Sequence, residues 1–483
     1  MTNEPLYNFL HQRIRTVHLL ALPLLLAALP VCAGTPDEIA RVERGLRTPV
    51  VLADAPPVTH TLADEMRRLH VPGVSIALIR DGKIAWARGF GVAWEGGPAV
   101  TPDTLFQAAS ISKPVTAMAA LRLAEQGRFD LDAGINTQLT TWKLPVGGDA
   151  RVTARQLLSH TAATTVSGFP GYAADQPVPT MRQVLGGTAP ANTAPVRLDG
   201  TPGAAWRYSG GGYSILQQAL IDRSGQSFDA LMTETVLAPA GMRASTFAQP
   251  LPARLRAGAA LPHDGKGQPV AGGPYTYPEL AAAGLWTTPS DLARFALDLR
   301  RSLAGGQGVL SPAMARAMLT PVLNGFGLGL KIDGEGAAQS FSHGGSNMGY
   351  QNTLFAYAGH GDGAVVMSNG ANGAELAEAV LHALADEYKW PSRRPIARQA
   401  MTMMPAAQER YAGRYEIKGL GDFRIARRDG QLMIALRGDQ WERLYAASDA
   451  VLFVLSRELE VRFDGTGGRV VAGAFDVPFT RAD

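Results

Sequence analysis

Cysteine is almost absent from this sequence, because Cys32 is the only one in 483 residues. A single cysteine cannot close an internal disulfide. Lysine is scarce too, since only seven of the 45 basic residues are lysines. The formal net charge is +3, and no cluster of basic residues stands out. The sequence therefore predicts no nucleic-acid partner.

Long apolar runs are confined to the N-terminus. Arg13 and Arg15 precede an apolar stretch over residues 17–33, which ends in the small residues that signal peptidase accepts. Residues 1–33 are therefore predicted to be a secretory signal peptide, so that the mature protein is secreted or periplasmic and has no membrane span. Cleavage would also remove Cys32, so the mature protein could hold no disulfide and no thiolate metal site. The alternative is an uncleaved segment that anchors the N-terminus in a membrane.

An Asp-Gly pair separates two apolar runs in the first quarter of the chain. The runs cover residues 74–79 and 84–91, and Asp81-Gly82 lies between them. This pattern is typical of two antiparallel strands joined by a tight turn. A helical pattern over residues 59–69 precedes them, so the fold is predicted to open with a helix and a hairpin.

Strand patterns return only after a long helical region. Helical and loop patterns dominate residues 130–319, short strand patterns follow between 326 and 369, and a helix is predicted over 374–388. We therefore predict an α/β (α+β) domain over residues 34–390. Its antiparallel sheet is built from both ends of the domain, flanked by helices and interrupted by an inserted helical lobe.

Beyond residue 390 the pattern changes again. Residues 391–408 contain prolines and arginines without a clear period and are predicted to be a linker. Residues 409–483 show alternating strand patterns and predict a small all-β domain. That domain carries no catalytic constellation, so a lid, a docking module and a stabilising domain all remain open, with the last as the default.

The motif Ser110-x-x-Lys113 enters an apolar helix predicted over residues 110–126. Pro114 is tolerated only in the first turn of a helix, which places Ser110 at the helix N-terminus. The serine and lysine share one face, so the amine can take the hydroxyl proton and create a nucleophile without histidine. For this short motif alone, a capping serine beside a solvated lysine is the commoner alternative.

Three further positions are candidates by residue type. His160 follows a short helix, and we favour a loop histidine bonded to the backbone over a base or a ligand. Tyr208 precedes glycines 210–212, which are expected to form a compact loop that holds the tyrosine out; the alternative is an aromatic plug over the core. His343-Gly344 lies on or beside a strand of the returning sheet.

Three short motifs and their order along the chain resemble those of the penicillin-recognising serine hydrolases. They are Ser110-x-x-Lys113, Tyr208-Ser209-Gly210 and His343-Gly344-Gly345. This β-lactamase-related family includes class C β-lactamases, D-alanyl-D-alanine carboxypeptidases, D-aminopeptidases and β-lactamase-like carboxylesterases. The resemblance covers roughly residues 59–388, includes the stretches 157–161 and 284–288, and implies a β-lactamase/transpeptidase-like fold. No Gly-x-Ser-x-Gly elbow points to another class of serine hydrolase.

The resemblance also implies a role for each motif residue. Ser110 would attack an acyl carbonyl and form an acyl-enzyme, with Lys113 and Tyr208 sharing the proton transfer. Which of the two is the base is left open by the sequence. The backbone N–H groups of Ser110 and Ser346 would form the oxyanion hole. The strand that carries Gly344 and Gly345 would line the cleft.

Two departures from the family pattern bear on the substrate. Gly210 replaces an asparagine that contacts the acylamide group, while His343 and Gly344 replace a lysine and a hydroxyl residue that attract a carboxylate. Each lost contact lowers affinity by about 1–3 kcal/mol when it is buried. We therefore expect an exported hydrolase of small ester, amide or peptide substrates, without metal or cofactor, rather than an efficient β-lactamase. The alternative is a weak or inactive relative that binds cell-wall peptides or a partner; the oligomeric state is left open.

Overall fold

The computed structural model describes residues 35–56, 58–147, 151–418, 421–436, 438–472 and 475–482. The predicted signal peptide, with Cys32, lies outside these ranges. In the described ranges, no helix has the length and apolar character needed to cross a membrane. The helices there are α1 (Pro36–Arg44), α2 (Leu62–Arg68), α3 (Ser112–Glu125), α4 (Ile135–Gln138), α5 (Ala154–Leu158), α6 (Met181–Gly186), α7 (Gly210–Ser224), α8 (Phe228–Met232), α9 (Ala253–Arg256), α10 (Leu280–Ala283), α11 (Pro289–Leu303), α12 (Pro312–Leu319), α13 (Gly373–Glu387) and α14 (Pro405–Glu409).

A six-stranded antiparallel sheet forms the centre of the larger domain, in the order β3-β2-β9-β8-β7-β6. The predicted hairpin is confirmed, because Asp81 and Gly82 both have left-handed φ angles, 52° and 73°, as a two-residue turn requires. The prediction that both ends of the domain build one sheet is also confirmed. The strands are β1 (Val50–Leu52), β2 (Gly73–Arg80), β3 (Lys83–Gly91), β4 (Phe106–Gln107), β5 (Trp286–Thr287), β6 (Lys331–Asp333), β7 (Ser340–Asn347), β8 (Tyr350–Tyr357), β9 (Gly363–Ser368) and β10 (Ile396–Arg398).

Strand β2 is buried on both faces, which explains its continuous apolar sequence. Ala77 and Ile79 belong to the core shared with the helical lobe and α3. Ile76 and Leu78 point to the opposite core, against α13. Because side chains alternate along a strand, one strand serves two cores and needs apolar residues at every position.

Helix α3 runs through the middle of the first core. A 3₁₀ turn, Ala109–Ile111, leads into Ser112–Glu125, and Gly127 follows at a φ of 67°. This agrees with the predicted helix over 110–126 and its glycine stop. Small and apolar side chains bury the helix on nearly every side, so Ser110 is held at a fixed entry point.

The C-terminal part is all-β, as predicted. Its nine-stranded sheet has the order β14-β13-β12-β11-β19-β18-β17-β16-β15. Because β14 and β15 are consecutive in the chain, the sheet nearly closes on itself. Contacting rings of Tyr415, Phe423, Phe463 and Phe479 fill its interior. The strands are β11 (Gly413–Ile417), β12 (Gly421–Arg428), β13 (Gln431–Ala435), β14 (Trp441–Arg443), β15 (Tyr445–Ala446), β16 (Val451–Phe453), β17 (Glu460–Asp464), β18 (Gly467–Ala472) and β19 (Phe475–Arg481).

Two segments differ from their predicted structure. The proposed linker 391–408 contains β10, which pairs in parallel with β1, and then α14. The strand expected over 326–332 is reduced to β6, which begins at Lys331. Gly329 explains the break, because its φ is 90° and a Cβ there would lie 2.8 Å from Ala117 Cβ.

Candidate active site

Ser110 sits in the 3₁₀ turn that precedes α3. The residue before it, Ala109, has a φ of 53°, a left-handed conformation that costs a non-glycine residue about 1–3 kcal/mol. Ser112 holds this turn: its hydroxyl donates to the Ala109 carbonyl at 2.6 Å and accepts from Leu285 N at 3.0 Å. The surrounding structure therefore imposes the backbone geometry of Ser110.

Lys113 is buried, with 2% of its surface exposed. Its Nζ lies 3.0 Å from Ser110 Oγ and donates to the Ala282 carbonyl at 2.8 Å. The amine also lies over the ring of Tyr208, 4.9 Å from the centroid. The solvated lysine of the alternative interpretation is therefore wrong, because this amine is desolvated and aimed at the serine hydroxyl.

Tyr208 lies just before α7, whose N-cap is Ser209. The predicted glycine loop is wrong, because glycines 210–212 form the first turn of this helix. The triplet is instead required by close packing against the preceding loop. A Cβ on Gly210 would lie 2.9 Å from Phe169 Cε2 and 3.2 Å from the Ser167 carbonyl oxygen.

Strand β7 brings His343, Gly344, Gly345 and Ser346 to the other side of Ser110. A Cβ on Gly345 would lie 2.1 Å from the Ala108 carbonyl oxygen, so only glycine lets the strand approach this closely. Gly344 is different, since its Cβ would meet only the Asn352 carbonyl oxygen at 3.9 Å. Close packing therefore requires glycine at position 345, whereas position 344 has room for a side chain.

His343 is neutral at physiological pH in this environment. Burial lowers its pKa to about 4, the positive charge of Lys113 contributes, and the hydrogen bond to Gly344 opposes the shift. Its Nδ1 lies 2.6 Å from the Gly344 carbonyl oxygen, which can only accept, so Nδ1 carries the proton. The histidine therefore offers no positive charge to a substrate carboxylate, as its residue type led us to expect.

Ser110, Tyr208 and residues 343–346 of β7 line one cleft of about 400 Å³. Sequence reasoning missed Phe326 and Lys331 as lining residues; Lys331 Nζ is 3.1 Å from Asp333 Oδ2. A larger groove of about 970 Å³ lies elsewhere, against α2 and β3, and is mostly apolar. We assign the chemistry to the smaller cleft because Ser110, whose hydroxyl contacts Lys113, lines it. The cleft is lined by Ser110, Tyr208, Phe326, Lys331, Ser342, His343, Gly344, Gly345, Ser346, Gln351, Asn352, Thr353 and Ala374.

Across the described ranges, no group of three or more His, Cys, Asp or Glu side chains is arranged to hold a metal ion. The cleft instead combines a hydroxyl, an amine, a phenol and exposed strand backbone. Those groups suit acyl transfer to a serine.

Glu279 is a buried carboxyl that sequence reasoning missed. It occupies the N-cap position of α10, the helix whose Ala282 carbonyl holds Lys113, but its carboxyl makes no capping bond, and the residue is 0% exposed. Among the described residues, neither carboxyl oxygen has a hydrogen-bond partner. Burial raises its pKa from 4.5 to about 7. No sequence pattern marks such a residue, because its environment is created by the fold.

Glu279→Gln is expected to stabilise the protein at pH 8. The folded state holds the proton more tightly than the unfolded state, so stability is lost as pH rises from about 4.5 through about 7. Above pH 7 this pKa shift lowers the free energy of unfolding by about 3 kcal/mol. A neutral glutamine at the same position does not carry that penalty. Unfolding in urea at pH 5 and pH 8 would measure this, with exposed Glu95→Gln as the control. Equal effects at both pH values would contradict it.

Solved structures with this fold include penicillin-binding-protein homologues and amidases. The octameric penicillin-binding protein homologue from Pyrococcus abyssi superposes with a TM-score of 0.61 at 22% identity, covering 86% of this chain and 98% of that one. D-amino acid amidase from Ochrobactrum anthropi SV3 gives a TM-score of 0.53 at 22% identity, covering 68% and 97%. At these identities the likeness establishes the fold, and it confirms the predicted fold class.

Residues 58–389 match the Beta-lactamase family, and the chain belongs to that family. The resemblance drawn from the motifs is thereby confirmed. Esterase EstB from Burkholderia gladioli is 31% identical over 221 residues, which are 42% of this chain and 54% of the esterase. The chain spans between 36% and 54% of the length of the curated relatives that it matches first.

Proposed function

We propose that this protein is an exported serine hydrolase that forms an acyl-enzyme on Ser110. The observation that carries the proposal is the 3.0 Å contact between Lys113 Nζ and Ser110 Oγ in a buried setting. A lysine whose amine is fixed by a carbonyl at 2.8 Å is positioned to exchange a proton with the hydroxyl. Export is proposed from residues 1–33 alone, and N-terminal sequencing of secreted protein should then begin at Gly34.

The proposed reaction proceeds in two acyl transfers. Ser110 Oγ attacks the substrate carbonyl carbon while its proton passes to the unprotonated form of Lys113 Nζ, directly or through Tyr208. The N–H groups of Ser110 and Ser346 would stabilise the tetrahedral oxyanion. Collapse breaks the bond to the alcohol or amine, which leaves with the proton. Water then attacks the ester on Ser110 by the same route and releases the acid.

We propose neutral or amine-bearing esters and amides as the substrate class. Burial keeps His343 uncharged, and Gly210 and Gly344 supply no side chain for an acylamide or a carboxylate. Lys331, the cation at the cleft wall, is already paired with Asp333. The names of the matched esterase and of the structurally similar D-amino acid amidase support the same class.

A substrate panel on purified protein tests the proposal. We expect turnover of p-nitrophenyl acetate and of a D-amino-acid amide, with nitrocefin slower by at least about tenfold in kcat/KM because the carboxylate contacts are missing. A fluorophosphonate should add one adduct, which peptide mapping locates on Ser110. No turnover of any panel member, combined with binding of a cell-wall peptide, would favour an inactive binding protein. An adduct on another serine would overturn the mechanism.

A further inference from the structure

We propose that His160 is a positioning residue, which fixes Tyr208 beside Lys113 without touching the substrate. The inference rests on the proposed function, since it assigns His160 to the proton transfer in which Tyr208 takes part. The structure supports the favoured interpretation of His160 as a loop histidine bonded to the backbone. Its bonds, however, go to the two residues that flank the tyrosine.

His160 contacts three consecutive residues of the tyrosine segment. Its carbonyl accepts from Arg207 N at 2.8 Å, and its Nδ1 accepts from Ser209 N at 3.1 Å. Between these bonds, the imidazole ring packs on the Tyr208 ring with centroids 4.4 Å apart. One residue therefore fixes the backbone on both sides of Tyr208 and also one face of its ring.

The histidine itself is held rigidly. It follows α5 with a φ of 59°, and only 2% of its surface is exposed. Its ring also packs against the rings of Trp206, Tyr213 and Phe326, with centroid-to-centroid distances of 6.3, 5.4 and 5.7 Å. A residue held in a left-handed conformation and enclosed by rings transmits its own position to the segment that it binds.

The bond from Ser209 N also fixes the histidine tautomer. A backbone N–H can only donate, so Nδ1 must be unprotonated and the neutral ring carries its proton on Nε2. Burial and the nearby charge of Lys113 both lower the pKa of His160, which keeps the ring neutral. The required group is therefore an acceptor at the Nδ1 position, and an asparagine Oδ1 can occupy the same place.

Matched substitutions at His160 test this role. Asparagine keeps an acceptor near the Nδ1 position, glutamine moves it one carbon away, and leucine removes it. We expect His160→Leu and His160→Gln to lower kcat for p-nitrophenyl acetate by at least about 30-fold with KM within about threefold, and His160→Asn to recover most of it. Rates are expressed per site titrated with fluorophosphonate, so that unfolded protein is not counted.

A double-mutant cycle with Tyr208→Phe separates positioning from general stability. If His160 acts through the tyrosine hydroxyl, His160→Leu should change kcat by less than about threefold in the Tyr208→Phe background. An equal loss in both backgrounds, or an unchanged kcat per titrated site, would overturn the inference and leave the role of Ser110 intact. If His160→Leu is insoluble, the Asn and Gln variants carry the same comparison. Absence of turnover in the wild type would overturn the proposed function and this inference together.

Discussion

Replacing Ser110 with alanine will lower kcat/KM for p-nitrophenyl acetate by at least about 10⁴-fold, the order seen when a serine hydrolase loses its nucleophile. The reason is chemical rather than structural, because the variant removes the only atom proposed to bond to the acyl group. The fluorophosphonate adduct should disappear as well. Initial rates and intact-protein mass measure both effects.

Ser342→Ala is the matched control, because Ser342 lines the same cleft on β7 but takes no part in the proposed acyl transfer. We expect it to change kcat/KM by less than about threefold, because no proposed step of the reaction uses its hydroxyl. Thermal unfolding should be similar for both variants. Turnover that persists in Ser110→Ala after repurification would disprove the acyl-enzyme mechanism.

Lys113→Arg and Lys113→Met will each lower the acylation rate by at least about 10³-fold, within the range of general acid–base catalysis. The arginine variant keeps a positive charge, but a guanidinium does not give up its proton in proteins. The two variants should therefore be equally slow if Lys113 serves as a base or proton carrier. Stopped-flow measurement of product release in the first turnover reports this rate.

Lys331→Met provides the control for the loss of a lysine in the same cleft, and it should change turnover of a neutral ester by less than about threefold. If Lys113→Arg acylates as fast as the wild type, only the positive charge of Lys113 is needed and its role as a proton carrier is disproved. The free energy of unfolding in urea should be measured for each variant alongside the kinetics. In Lys113→Met the Ala282 carbonyl loses its donor, which costs about 1–3 kcal/mol.

Local patterns in the sequence predicted much of the fold. The Asp81-Gly82 turn and the apolar helix after Ser110 depend on neighbouring residues, and they were found where the patterns indicated. The pairing of β10 with β1 was missed, because three-residue strands 346 residues apart leave no periodic signal. Packing against loop 164–169 leaves no room for side chains at positions 210–212, and that packing is also non-local.

At the candidate site, the sequence predicted the side chains that come together but not the backbone groups that hold them. Ser110, Lys113, Tyr208 and His343 were chosen from the sequence, and the structure brings all four together. The Ala282 carbonyl that holds Lys113 could not be predicted, because every residue has a carbonyl and only the fold selects one.

Gly344 and Gly210 differ in how readily a new substrate contact could evolve. Position 344 has room for a Cβ, so a single substitution to serine or threonine can add a hydroxyl without moving the strand. At position 210 a Cβ meets Phe169 and Ser167, so asparagine there requires a compensating change in the neighbouring loop. One substitution at position 344 on β7 can therefore add a contact for a substrate carboxylate. A contact for an acylamide from position 210 on α7 requires at least two substitutions.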